Sequence, residues 1–247
     1  MKKHLLYIAI IVLFLSGCVH VETRNHFNRT LQSIWLSNNT ILSTWESGSV
    51  YWHPSGLRIE SEGRVIYIDP VDVVDPLPAD YIFITHTHTD HLSLPDIKKI
   101  AKKETVIVCP KTAAHVLSNY TTMKVKPGDV LDIGDIKCEA VPAYNFVHQK
   151  MFGFVGFILT INGLRLYHAG DTGLISEMNR ISNITVAMVP IGVGILAMNP
   201  EQAAKAVNEI KPLIAIPMHY ELNKNQAEIF KRLIDKGIQV EIMEQEK

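Results

Sequence analysis

Several function classes are excluded by what the chain lacks. Its 247 residues hold only three cysteines and no Cys-x-x-Cys pair, which rules out a zinc ribbon. Neither a glycine-rich phosphate loop nor a serine nucleophile elbow occurs, so nucleotide binding and serine hydrolysis have no support. Basic residues are dispersed and the formal net charge is -1, which removes the electrostatic case for a nucleic-acid partner. No apolar run reaches the roughly 20 residues a membrane-spanning helix needs. Short-period repeats and low-complexity tracts are missing too.

The longest apolar run, Leu5 to Leu15, follows the basic start Met1-Lys2-Lys3-His4 and fits the hydrophobic region of a signal peptide over residues 1–17. Leu15-Ser16-Gly17-Cys18 resembles the lipobox of prokaryotic lipoproteins, which implies cleavage before Cys18 and lipid on that cysteine. An uncleaved signal anchor is the alternative. Either way the body is expected on the exported face, held at the membrane surface. Residues 18–48, rich in Asn, Ser and Thr, read as a lipid-anchored tether with a short helix around Leu31 to Leu36. A single domain is expected from 49 to 247. Cys109 and Cys138 lie in apolar strand-like runs and are either paired or buried thiols. The Asn-x-Ser/Thr sites, such as Asn119-Tyr120-Thr121, are common enough to be chance.

From residue 49 onward, short β-branched runs alternate with turns. Gly134-Asp135 and Asn162-Gly163 mark hairpins. Helices are expected at Leu94–Ala101, Thr112–Ser118, Leu174–Arg180, Asn199–Ile210 and Gln226–Asp235. Strands precede or follow each of them. Asn199-Pro200 is a strong start signal, a capping amide followed by proline in the first turn. Each half is strand-rich first and strand-helix alternating later. That order suits two mixed sheets packed between outer helices, an αββα sandwich of the α/β class.

What is present in excess is histidine in one place. Thr85-His86-Thr87-His88-Thr89-Asp90-His91 follows the apolar run Tyr81-Ile82-Phe83-Ile84. Neutral imidazole and carboxylate are the donors that zinc-like ions take. Alternation along an extended chain turns His86 and His88 to one side, and Asp90 and His91 can serve a second ion beside it. Farther on, Asp171 stands in Gly170-Asp171-Thr172-Gly173, and His219 ends another apolar run in Pro217-Met218-His219-Tyr220.

His-x-His-x-Asp-His after an apolar strand resembles the signature of the metallo-β-lactamase superfamily. The likeness covers about residues 49 to 242 and implies the αββα fold, with two divalent ions, zinc first and Mn2+ or Fe2+ as alternatives. It implies His86 and His88 on one metal, Asp90, His91 and His219 on the other, and Asp171 bridging. The first metal's third ligand is His148 or, where many relatives carry His, Asn145; His148 is the better donor. The Pro-Ala-Tyr-Asn, Tyr-His-Ala-Gly-Asp-Thr and Pro-Met-His-Tyr segments resemble the branch of ascorbate-6-phosphate lactonase and N-acyl-phosphatidylethanolamine phospholipase D.

The implied activity is metal-activated hydroxide attack on an ester, lactone or phosphodiester of a small molecule or lipid, with Asp90 and Asp171 as the catalytic carboxylates. A metal-binding lipoprotein without catalysis and a di-iron redox protein are the rival readings. His53 and His168 are expected beside the site rather than in it, and His115 outside it. Oligomeric state stays open.

Overall fold

The computed structural model describes residues 9–12, 19–26, 29–36, 39–45, 55–192, 194–221 and 225–243. Among them two mixed sheets divide the chain in sequence order. The first holds β1 (Ala9–Val12), β2 (Val19–His26), β3 (Arg29–Leu36), β4 (Thr40–Trp45), β5 (Leu57–Ser61), β6 (Arg64–Ile68), β7 (Ala79–Phe83), β8 (Ala101–Pro110) and β9 (Thr121–Val125). The second holds β10 (Val130–Ile133), β11 (Ile136–Pro142), β12 (Val155–Ile161), β13 (Leu164–His168), β14 (Val186–Pro190), β15 (Ile214–Met218) and β16 (Gln239–Val240).

Each sheet begins antiparallel and turns parallel, at β6–β7 in the first and at β13–β14 in the second. The reason is local. Tight turns join antiparallel neighbours, as at Asn162-Gly163, where both residues have positive φ (50° and 80°) and match the twist of a two-residue hairpin. Parallel neighbours need a crossover. Helix α1 (Leu94–Ile100) supplies it between β7 and β8, α2 (Lys111–Val116) between β8 and β9, and α3 (Pro200–Ile210) between β14 and β15, while α4 (Gln226–Leu233) precedes β16. The α3 start carries the expected Asn199 cap, completed as a capping box by Gln202.

Alternation along the strands builds two cores. Ile66, Ile68, Phe83 and Val108 face the second sheet, where Phe83 meets Phe157 edge-on at 5.2 Å. Their neighbours Tyr67, Ile82, Ile84, Ile107 and Cys109 point the other way, onto Ile97, Ile100 and Ala113 of α1 and α2. Ala203, Val207 and Phe230 of α3 and α4 join the larger core from the far side. The layers are therefore helix, sheet, sheet, helix, as the strand order implied.

Three expectations about local structure change. Leu31 to Leu36 is strand, not helix, and within the expected tether Val19–His26, Arg29–Leu36 and Thr40–Trp45 are sheet strands. Their polar composition misleads because the hydroxyls pair across strands, Ser33 with Ser43 and Thr40 with Ser61, each at 2.8 Å, while Leu31 and Ile34 are buried. Finally, the short helix near 174–180 is a 3-10 turn over Ser176–Arg180. Cys109 and Cys138 are both free and buried, and burial pushes each thiol up to about 12. Among the described residues no helix is long and apolar enough to cross a membrane. Cys18 and His53 lie outside the described residues.

Candidate metal centre

Loops at the ends of β7, β11, β13 and β15 converge on one edge of the sandwich. The β7 loop turns sharply: the His88 carbonyl accepts from both His91 N (3.0 Å) and Leu92 N (2.8 Å), folding His91 back beneath His86, whose rings lie 4.0 Å apart. From the second sheet come His148 after β11, Asp171 after β13 and His219 after β15. Close approach of backbone is needed at two glycines. Gly170 has φ +60°, and a Cβ there would lie 3.0 Å from the Val155 carbonyl; one on Gly192 would lie 2.6 Å from the His219 carbonyl.

Three donor groups result: His86 with His88 and His148, His86 with His91 and Asp171, and Asp90 with His91 and His219. The Asp171 carboxylate stands between the outer two. Its Oδ2 is 3.9 Å from the Nε2 atoms of both His86 and His148 and 3.5 Å from that of His219, and its Oδ1 is 3.2 Å from His91 Nε2. His148 Nε2 is 3.1 Å from His88 Nδ1, and His219 Nε2 is 3.2 Å from Asp90 Oδ2. Ligands about 2.0–2.1 Å from a tetrahedral ion stand roughly 3.4 Å from one another, and these gaps match that spacing. His86 Nε2, His91 Nε2 and Asp171 Oδ1 are buried with no hydrogen-bond partner, an arrangement that costs free energy unless a cation fills the space between them. The donor set therefore fits a pair of divalent ions of the zinc type.

The seven ligand residues expected from the sequence are all in this cluster, and His148 rather than Asn145 offers the ring. Asn145 shapes the loop instead. Its Oδ1 accepts from Val147 N and His148 N, and its Nδ2 donates to the Leu196 carbonyl at 2.6 Å and lies 2.7 Å from His148 Nδ1. His168 is outside the cluster, as expected: its Nε2 donates to the Ser55 carbonyl and its Nδ1 accepts from Gly170 N, bracing the turn before Asp171. His115 lies on α2 and belongs to none of the three donor groups.

One residue escaped the sequence reading. Asp69, fully buried at the end of β6, accepts from Thr85 N (2.8 Å), from the Thr85 hydroxyl (2.6 Å) and from His91 Nδ1 (2.8 Å). Because the Thr85 proton is committed to Asp69, Thr85 Oγ1 can only accept from His86 Nδ1, 3.0 Å away. A single carboxylate thus fixes a proton on the Nδ1 of two rings, directly at His91 and through Thr85 at His86, so that each ring turns its Nε2 to the cluster. The signal that could have found it is an Asp closing a strand next to the histidine strand, but that adjacency is invisible before the sheet is known.

Electrostatics follows from burial and from these neighbours. Burial, then the adjacent His91, hold His86 well below the ordinary imidazole value. Burial would also lower His91, but the Asp171 and Asp69 carboxylates outweigh it and hold the ring well above that value. Burial likewise opposes the charge on Asp171, yet His219 and His91 keep it well below the usual carboxylate range. Asp69 and His219 both hold left-handed backbone, φ 47° and 51°, a cost of order 1–3 kcal/mol each that surrounding contacts must sustain.

The beta-lactamase superfamily domain matches residues 50–219. A metal-dependent hydrolase of family UPF0173 from Archaeoglobus fulgidus is 33% identical over 187 residues, 68% of this chain and 80% of the relative. Another from Nanoarchaeum equitans is 33% identical over 211 residues, 78% and 94% of the two chains. A crystal structure from Parabacteroides distasonis, named as a metal-dependent hydrolase, superposes with a TM-score of 0.71 at 29% identity, covering 91% of this chain and 98% of that one. With the fold, the ligand cluster and these relatives in agreement, the chain belongs to the UPF0173 metal-dependent hydrolases of the beta-lactamase superfamily.

Proposed function

We propose that this hydrolase works with two divalent ions, zinc first, and cleaves an ester, lactone or phosphodiester. The observation that carries the reading is the Asp171 carboxylate, buried between two triads with one oxygen toward His91 and the other toward His86, His148 and His219. A storage site has no need of a shared carboxylate. His86, His88 and His148 would hold one ion, and Asp90, His91 and His219 the other, with Asp171 common to both. When bound, such ions polarise the electrophile and make water a nucleophile at neutral pH.

The chain's own residues supply the rest. Asp69 orients His86 and His91, and the β7 turn keeps Asp90 beside His219 at the mouth. The Asp90 side chain is 61% exposed, so its free oxygen can reach a substrate and relay the proton that attack releases. Lipid on Cys18 would hold this mouth near a membrane, where lipid-derived substrates are abundant.

Metal analysis of the purified chain tests the reading. Two equivalents of zinc per chain, and loss of turnover on chelation, are expected. Asp171→Ala is expected to retain at most one equivalent and to lose activity; a fully active Asp171→Ala protein would refute the shared-carboxylate site. Two equivalents of iron with redox turnover would replace the hydrolytic reading with a di-iron one.

A further inference from the structure

Around the mouth of the ligand cluster stands a lip of exposed apolar side chains. The loop from β11 to β12 presents Phe146, Met151 and Phe152, exposed by 79%, 82% and 46%, and the loop after β14 presents Ile195, exposed by 61%. The two loops touch, because the Asn145 amide donates to the Leu196 carbonyl at 2.6 Å. The apolar surface continues inward. The Phe152 ring lies 5.7 Å from that of Phe154, which in turn lies 5.2 Å from His86 and 5.7 Å from His148. Val147, exposed by 37%, belongs to the same β11–β12 loop, and the remaining large exposed apolar side chains among the described residues, Trp35, Leu94, Val116, Val130, Leu213 and Leu233, lie elsewhere, no two on one element. Apolar exposure concentrated at one place marks a binding surface rather than ordinary surface scatter.

Charge identifies the kind of occupant. Segment 143–154 holds no acid and one lysine. That lysine is already engaged: Lys150 Nζ donates to Glu177 Oε1 at 2.7 Å and lies 4.9 Å from the Tyr144 ring centre. Glu177 is held in turn by the Tyr144 hydroxyl at 2.8 Å. The lip therefore offers area to an apolar group and no free cation to a phosphate.

We infer that the lip binds the hydrocarbon part of the substrate, an acyl chain whose ester or lactone carbonyl reaches the ligand cluster; this rests on the hydrolytic reading above. Hydrolysis then adds the oxygen of one water to the acyl carbon, breaks the acyl C–O bond and leaves a proton on the departing alkoxide. The assignment narrows the substrate class from three to carboxylic esters and lactones of apolar acids.

The test is a chain-length series of p-nitrophenyl esters, acetate to octanoate, with the zinc-loaded full chain and its Phe146→Ser/Met151→Ser double variant. Both positions are exposed, and zinc content reports whether the site survives the changes. In the parent, kcat/KM is expected to rise by up to about fourfold per methylene, the equivalent of roughly 0.8 kcal/mol. The octanoate-to-acetate ratio is expected to fall at least tenfold in the variant. A flat parent series, or an equal ratio in the variant, overturns the inference.

Failure of every ester while bis-p-nitrophenyl phosphate is cleaved overturns the acyl assignment; failure of the esters and the phosphodiester alike counts against the hydrolytic reading instead, and calorimetric binding of octanamide then tests the lip by itself. Binding weakened in the variant supports the lip; equal binding in both proteins overturns it. Vesicles of phosphatidylcholine form the last arm. Association that depends on Phe146 and Met151, without any chain-length effect, assigns the surface to a bilayer and overturns the substrate role.

Discussion

Asp69 never touches the space between the triads, yet it controls the rings that do. Replacing it with Asn keeps the volume but removes the charge that balances His91 and scrambles the proton positions on His86 and His91. Metal affinity in Asp69→Asn is expected to fall about 10- to 100-fold, measured by competition with a chromogenic chelator. His91 gives a second expectation. With Asp171 and Asp69 holding it well above the ordinary value, the metal-free ring carries a proton at pH 7 that ligation must expel. Zinc binding is expected to release at least one proton and to tighten as pH rises; calorimetry in two buffers of different ionisation enthalpy reads this directly. The histidine run was legible because its four donors fall within six consecutive positions. Asp69 was not, since its partners Thr85 and His91 are 16 and 22 residues away and meet it only through strand pairing. The choice between Asn145 and His148 was open for a related reason: the loop has no periodicity, and only the amide's bonds to the backbone decide which side chain faces inward.

Elements position the ligands through their ends, so turn chemistry matters more than strand interiors. In Gly170→Ala the left-handed backbone would cost about 1–2 kcal/mol. The added carbon would also meet Val155 and Thr85, displacing Asp171. Loss of bound metal along with a lowered Tm is expected. Asn199→Ala makes the contrast. Losing the capping box of α3 should cost about 1 kcal/mol and lower Tm by roughly 2–4 °C. Its metal content should be unchanged, because α3 supplies no ligand. The brace between Tyr144, Lys150 and Glu177 is pH-sensitive in a defined direction. Hydrogen bonds from Lys150, then Tyr144, bring the Glu177 carboxyl down to about 2. A depressed carboxyl contributes above its unfolded value and loses that contribution as pH falls through the folded one. Protection factors for hydrogen exchange at 144–152 should therefore fall as pH is lowered from about 4.5 to 2. Hairpins and helices with explicit punctuation, such as Asn162-Gly163 and Asn199-Pro200, were readable from sequence. The strands over residues 19–45 were not, because hydroxyl pairs across a sheet leave no local trace.

The whole molecule is two sheets joined at one short connection, Lys126 to Asp129, and ligand ownership follows the division. His86, His88, Asp90 and His91 come from the first sheet's loops, and His148, Asp171 and His219 from the second's. Ions held across that boundary, as proposed above, would stabilise the docked halves. At a hundredfold excess over Kd a bound ligand contributes about 2.7 kcal/mol. Chelation is thus expected to lower Tm by about 5–10 °C at this chain size, measured by scanning calorimetry. Direct backbone contact between the halves beside the site is modest, with Val155 N donating to the Thr85 carbonyl at 3.3 Å. A chain severed between Lys126 and Asp129 would yield one fragment with four donors and another with three, each coordinatively deficient. Reassembly of the two would then track available zinc, so that a pair of labelled fragments would serve as a reporter for the ion.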